Sequence, residues 1–230
     1  MLAGRALILH TGSTSQFGYK AGDAALAVLE TRSVNPIVVL DSKGRADTIR
    51  ASDVPGGRGD GVPVTTLIEL QAGARVAQAI SALPEQKYLV AGSGGYGFIA
   101  AVQDMVSRVK AGKAFMTLED GDEPLAPAAV SGGLDHVAAL SAKGRLLVFP
   151  LAEMREVPRG RGVIIKGLDR GEKLIAVGLT APSKVVVHGT NRVGKPTAVT
   201  IEGSELAKHL LHRARKGCLV AHKMKPIGLG

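Results

Sequence analysis

The chain has no tryptophan, a single cysteine, and aromatic residues at only 3% of its 230 positions. With Cys218 alone, no internal disulfide framework exists, and a reducing compartment is expected. Without tryptophan, the familiar propellers built on a Trp-Asp signature are disfavoured. The core must be made of Val, Leu, Ile and Ala. The scarcity of aromatics leaves few platforms on which unpaired bases could stack, which argues against a single-strand nucleic-acid binder. No apolar run is long enough to span a bilayer and no secretory signal opens the chain, so a cytoplasmic protein with no membrane association is expected.

What the sequence holds instead is glycine, 30 residues of it, and positive charge. There are 29 Lys and Arg against 20 acidic residues, for a formal charge of +9. Such an excess suits a polyanionic partner, and it also simply aids solubility. The glycines carry a repeat. Gly44, Gly95, Gly144 and Gly194 are spaced by 51, 49 and 50 residues, each inside a polar turn between apolar runs. A second glycine, closing a basic loop, follows at Gly61, Gly112, Gly162 and Gly217. An acidic residue lies nine positions after three of the turn glycines, at Asp53, Asp104 and Glu153, and shifts to Glu202 or Glu205 in the last copy. Gly4-Arg5 followed by Gly22 fits a shortened first copy.

Short apolar runs bounded by Gly and charged residues predict antiparallel strands. A period near 50 residues with several strands per unit predicts an all-β, propeller-like array of about five stacked units. The expected units span residues 1–40, 41–87, 88–136, 137–184 and 185–230 of a single domain. In the third, KYLVAGSGGYGFIAAV is read as strand, turn and strand. In the second, Val64 to Leu70 is read as a strand. AALAVLE, at residues 24–30, is also assigned as strand by its place in the repeat.

Several motifs point elsewhere when taken alone. Gly92, Gly94 and Gly97 form a dinucleotide fingerprint, but the sibling copies make the segment a hairpin. GTNRVGK, ending at Lys195, matches a phosphate-binding loop until Pro196 stands in the place of the hydroxyl residue. His209, His212 and His222 lack cysteine partners at zinc spacing and are expected on a solvated basic surface, with no metal site. Arg58-Gly59-Asp60 belongs to the repeating loop. No catalytic constellation and no cofactor site are predicted.

The cations collect at equivalent places. One set flanks the turn glycines: Lys43, Arg45, Lys143, Arg145, Arg192 and Lys195. The other occupies the loops: Arg58; Arg108, Lys110 and Lys113; Arg159 and Arg161; Arg213, Arg215 and Lys216. Stacked units would bring these onto one rim, where glycine-flanked loops suit a phosphate backbone. Double-stranded DNA is the expected partner, with an acidic protein partner as the alternative.

The segments GGRGDGVPVTTLIEL, AGSGGYGFIAAVQDMVSRVKAGKAFMTL and SAKGRLLVFPLAEMREVPRGRGVIIKGL resemble the C-terminal domain of bacterial type IIA topoisomerase A subunits, of the topoisomerase IV (ParC) type. The resemblance runs over the whole chain. It is strongest over residues 40–180 and weaker at HTGSTSQFG. It implies a β-pinwheel, whose propeller-like blades exchange strands, with a DNA-binding outer rim. It also implies a larger subunit that carries the catalytic machinery and works with an ATPase subunit (ParE type) in decatenation and relaxation. No copy holds the Gln-Arg-Arg-Gly-Gly-Lys-Gly box of gyrase; PGGRGDG, RVKAGK and VPRGRG are degenerate versions, so gyrase-like wrapping is not implied.

Overall fold

The computed structural model describes residues 6–7, 28–54, 62–220 and 224–230. Each turn glycine of copies two to five closes an antiparallel hairpin. The hairpins are Pro36–Asp41 with Arg45–Arg50, Lys87–Ala91 with Tyr96–Ala101, His136–Ser141 with Arg145–Pro150, and Lys184–Thr190 with Pro196–Glu202. Gly44, Gly95, Gly144 and Gly194 all take φ between 77° and 88°. That left-handed conformation is open to glycine at little cost, which is why the pivots recur. The segment containing Gly92, Gly94 and Gly97 is such a hairpin, as is the one around GTNRVGK.

The first strand of each hairpin gains a third strand from further along the chain: Val76–Ser81, Ala128–Ala129, Leu174–Thr180 and Lys225–Leu229. A fourth strand comes from elsewhere. Lys113–Ala114, Val163–Ile164 and Cys218–Leu219 each follow a loop glycine, and each pairs with the second hairpin strand of the preceding copy. The register is the same every time. Arg45, Tyr96 and Arg145 face Ala114, Ile164 and Leu219, the residues two past the loop glycine. Ala6–Leu7 receives Val62–Pro63 in the same manner. Each of copies two to five therefore lends one short strand to its predecessor. Among the described residues, Pro196–Glu202 receives none.

The sheets stack through their apolar faces. In His136–Ser141, Val137 and Ala139 pack with Leu89, Ala91 and Ile99 of the preceding sheet, while Ala138 and Leu140 pack with Val185, Val187 and Ile201 of the following one. Val38 and Leu40 likewise meet Val90 and Phe98, and Ile37 and Val39 face Val54, Val64 and Ile68 on the other side. Strands buried on both faces account for the continuous apolar runs. The core is aliphatic, with Phe98 and Phe115 in edge contact at 5.4 Å.

Three expectations need correction. Val64–Thr66 is a 3₁₀ turn after the lent pair Val62–Pro63, because a strand lent to a neighbouring edge has only two residues before the chain must return to its own sheet. Of AALAVLE, Val28 to Glu30 are not strand and the rest lies outside the described residues. His209 is buried at 2% exposure, its Nδ1 donating to the carbonyl of Leu146 at 3.2 Å. Burial lowers its pKa, so it favours the neutral ring. His212 is exposed beside Glu153, and His222 lies outside the described residues.

Candidate nucleic-acid interface

The basic loops are placed by two kinds of backbone tie. The first binds each loop to the preceding hairpin. The carbonyl of Gly44 accepts from Met116 N at 2.7 Å, that of Gly95 from Ile165 N at 2.7 Å, and that of Gly144 from Val220 N at 2.9 Å. The loop glycines lie flat on the same strands. A Cβ on Gly112 would lie 2.8 Å from the Ala46 oxygen, on Gly162 2.1 Å from that of Gly97, and on Gly217 2.3 Å from that of Leu146.

The second tie binds loop to loop. Glu69 N donates to Lys110 O at 3.1 Å, Thr117 N to Gly160 O at 3.0 Å, and Gly167 N to Arg215 O at 3.1 Å. Gly160 N and Ala214 N return bonds to Phe115 O and Ile165 O. The acceptor carbonyl is each time two residues before a loop glycine. The loops of copies three, four and five thus follow one another along a single hydrogen-bonded row, which copy two joins through Glu69.

On this row Arg108, Lys110, Arg159, Arg161, Arg215 and Lys216 are exposed. At the neighbouring turns Lys43, Lys143, Arg192 and Lys195 are exposed as well. Arg58 lies outside the described residues. The remaining four predicted residues are half-buried and hold backbone. Arg45 donates to Ala111 O at 2.7 Å and Gly112 O at 3.0 Å. Arg145 reaches Gly217 O at 3.4 Å, the same bond between copies four and five. Lys113 Nζ donates to Val106 O, and Arg213 to Ile164 O at 2.6 Å. Desolvation lowers the Lys113 pKa; Asp104 opposes the fall and Arg159, on the next loop, adds to it.

Arg45 and Arg145 therefore clamp the lent strands. Arg45→Ala is expected to destabilise the fold by about 1–2 kcal/mol, the range for hydrogen bonds from a charged donor that is partly screened. Urea unfolding would measure this, and unchanged stability would contradict the clamp.

Sequence reasoning missed the buried ionisable groups and the carboxylates of the row. Asp47 is 1% exposed at a position held by Phe98 and Leu147 in the next two copies. Its pKa is raised from 3.8 to about 6, chiefly by desolvation, then by Asp41, against the pull of Arg45. The folded chain holds this proton more tightly than the unfolded one. The stability linked to Asp47 is therefore full below about pH 4 and is lost as pH rises through 6. Asp47→Asn should stabilise the domain by about 1–2 kcal/mol at pH 7.5 and by much less at pH 4, as read from unfolding midpoints at the two pH values. Lys166, 1% exposed, binds Lys216 O. Its pKa is brought down to about 8, first by desolvation, with Glu172 opposing. It occupies the place of Met116 in the preceding copy. The charged offsets in Glu119 and Asp169, each seven past its loop glycine, were the available signal for the carboxylates.

Four-stranded antiparallel sheets, stacked and completed by a strand lent from the next copy, define a β-pinwheel. The family described as "DNA gyrase C-terminal domain, beta-propeller" matches residues 135–181. The solved structure of the Escherichia coli ParC C-terminal domain superposes with a TM-score of 0.82 at 30% identity, covering 96% of this chain and 92% of that one. A DNA gyrase A C-terminal domain superposes at 0.67 with 19% identity, over 98% and 72% of the two chains. The A subunit of DNA topoisomerase 4 from Neisseria gonorrhoeae is 40% identical over 195 residues, 80% of this chain and 25% of the relative. Its counterpart from E. coli K12 is 33% identical over 209 residues, 88% and 27%. The chain belongs to the family of C-terminal domains of topoisomerase IV A subunits. It spans about a quarter of the length of the curated relatives it matches. No helix among the described residues is long and apolar enough to cross a membrane.

Proposed function

We propose that this domain captures duplex DNA along the row of basic loops and bends it, presenting a segment to the catalytic part of a topoisomerase IV for strand passage in decatenation and relaxation. The observation that carries this reading is the hydrogen-bonded succession of loops, which sets exposed Arg and Lys of three consecutive copies side by side. A row of cations on a curved edge follows a phosphate backbone, and glycine lets that backbone come close. The five copies act as one domain, with Lys43, Arg45, Arg58, Lys113, Lys143, Arg145, Arg192, Lys195 and Arg213 supporting or extending the row. Its partners in the cytoplasm are the ParE-type ATPase and the catalytic remainder of its own polypeptide. The domain itself supplies positioning, with no cofactor.

Binding of a random-sequence duplex should be sequence-independent and steeply salt-dependent. With about six phosphates neutralised, affinity should fall about a thousandfold between 50 and 200 mM salt. Fluorescence anisotropy across that range tests it. An affinity that barely moves would refute the phosphate mechanism, and binding to an acidic protein but not to duplex would transfer the row to a protein partner.

A further inference from the structure

Some cations of the row already have an anion. Arg161, one residue before the loop glycine of copy four, pairs with Glu119 of copy three at 2.5 Å. It also lies 3.8 Å above the ring of Tyr96. Lys216, one residue before the loop glycine of copy five, pairs with Asp169 of copy four, which also takes Lys143 at 3.3 Å. Glu119 and Asp169 stand at the same place, seven residues past Gly112 and Gly162. The same carboxylate thus reaches forward to the same cation in two successive pairs of copies.

Between copies two and three both members change together. Glu69 N makes the bond there that Thr117 N and Gly167 N make later. Two residues on from these donors come Gln71, Glu119 and Asp169, and the matching cation positions hold Ala111, Arg161 and Lys216. Charge is present on both sides or on neither. A carboxylate kept merely for solubility would not be tied to its partner in this way.

We infer that Glu119 and Asp169 are built-in substitutes for DNA phosphate, which occupy Arg161, Lys216 and Lys143 in the free domain and hold down the affinity of copies four and five for duplex. This rests on the reading of the row as a duplex-binding surface. A phosphate approaching these loops must displace a carboxylate and leave it beside the DNA, so engagement there yields less than the count of cations suggests. The ties are solvent-exposed, which keeps the exchange reversible.

The test is the affinity of the 230-residue chain for a random duplex across a salt series, with Glu119→Gln, Asp169→Asn and the pair, after matched thermal midpoints have shown that each is folded. Each single substitution should tighten binding roughly two- to fivefold, Asp169→Asn more than Glu119→Gln because it frees two cations. The salt slope should steepen by about 1 for Glu119→Gln and up to about 2 for Asp169→Asn. Arg161→Gln should cost little affinity alone yet abolish the gain from Glu119→Gln, which a general change in net charge would not do. Lys216→Gln should likewise remove most of the gain from Asp169→Asn, and the exposed Glu85→Gln provides the net-charge control. Gains no larger than that control, weaker binding, or a Glu119→Gln gain that persists in Arg161→Gln would overturn the inference. Absence of duplex binding by the wild type removes the functional reading as well, whereas normal wild-type binding with unmoved variants removes this inference alone.

Discussion

Gly162→Ala should destabilise the domain by about 3 kcal/mol or more, while Gly121→Ala should cost about 1–2 kcal/mol. Both glycines have positive φ, 76° and 79°, and share the cost of placing a side chain in that region. They differ in what the new methyl meets. At Gly121 nothing lies within 4 Å. At Gly162 the Cβ would lie 2.1 Å from the Gly97 oxygen and 2.9 Å from Phe98 Cδ1. Neither can retreat: Gly97 lies within a paired strand and Phe98 is fully buried. Relief therefore requires Val163–Ile164 to leave the edge of the preceding sheet. Gly112 and Gly217 face the same constraint. Among the turn glycines, Gly194 supplies a control, since its Cβ would meet nothing within 4 Å where that of Gly44 would lie 2.4 Å from Met116 O. Urea denaturation of the variants measures the difference, and equal losses at Gly162 and Gly121 would show that the lent strand is not held by close approach.

Reversing Arg108, Lys110, Arg159 and Arg215 to Glu together should weaken duplex binding at least a thousandfold near physiological salt and lower the salt slope by about 3 to 4. These four lie on consecutive loops of the row and are exposed, so their loss leaves the fold's internal ties in place. On the proposed reading each reversal would remove a phosphate contact and add a repulsion, so the effect should exceed that of alanine. Lys184, at the open end of its hairpin opposite Glu202, is the matched control. Lys184→Glu should change affinity only slightly. Equal losses from Lys184→Glu and from any single reversal on the row would mean that net charge, and not the row, governs binding.

The parts of this fold that could be read from residue order are those imposed by local covalent geometry. A turn with φ near 80° demands glycine in every copy, so Gly44, Gly95, Gly144 and Gly194 announced four hairpins. The apolar runs on either side of the turn in KYLVAGSGGYGFIAAV announced strands, because stacked sheets bury both faces. The assignment of Val64 to Leu70 failed because apolar character marks burial and not conformation; Val64 and Ile68 are buried from a 3₁₀ turn and the loop after it. His209 was misplaced for a related reason, since nothing near it in sequence supplies the Leu146 carbonyl.

Sequence alone thus determined an all-β repeat of glycine turns and cationic loops, because backbone strain at a turn is decided within a few neighbouring residues. Only the tertiary structure decided which sheet each short strand joins, which arginines face solvent and which clamp a neighbour's backbone, and where Glu119 and Asp169 meet their cations. Those outcomes depend on hydrogen bonds and ion pairs between groups from 26 to more than 70 positions apart, and a contact at that separation is set by how the sheets stack.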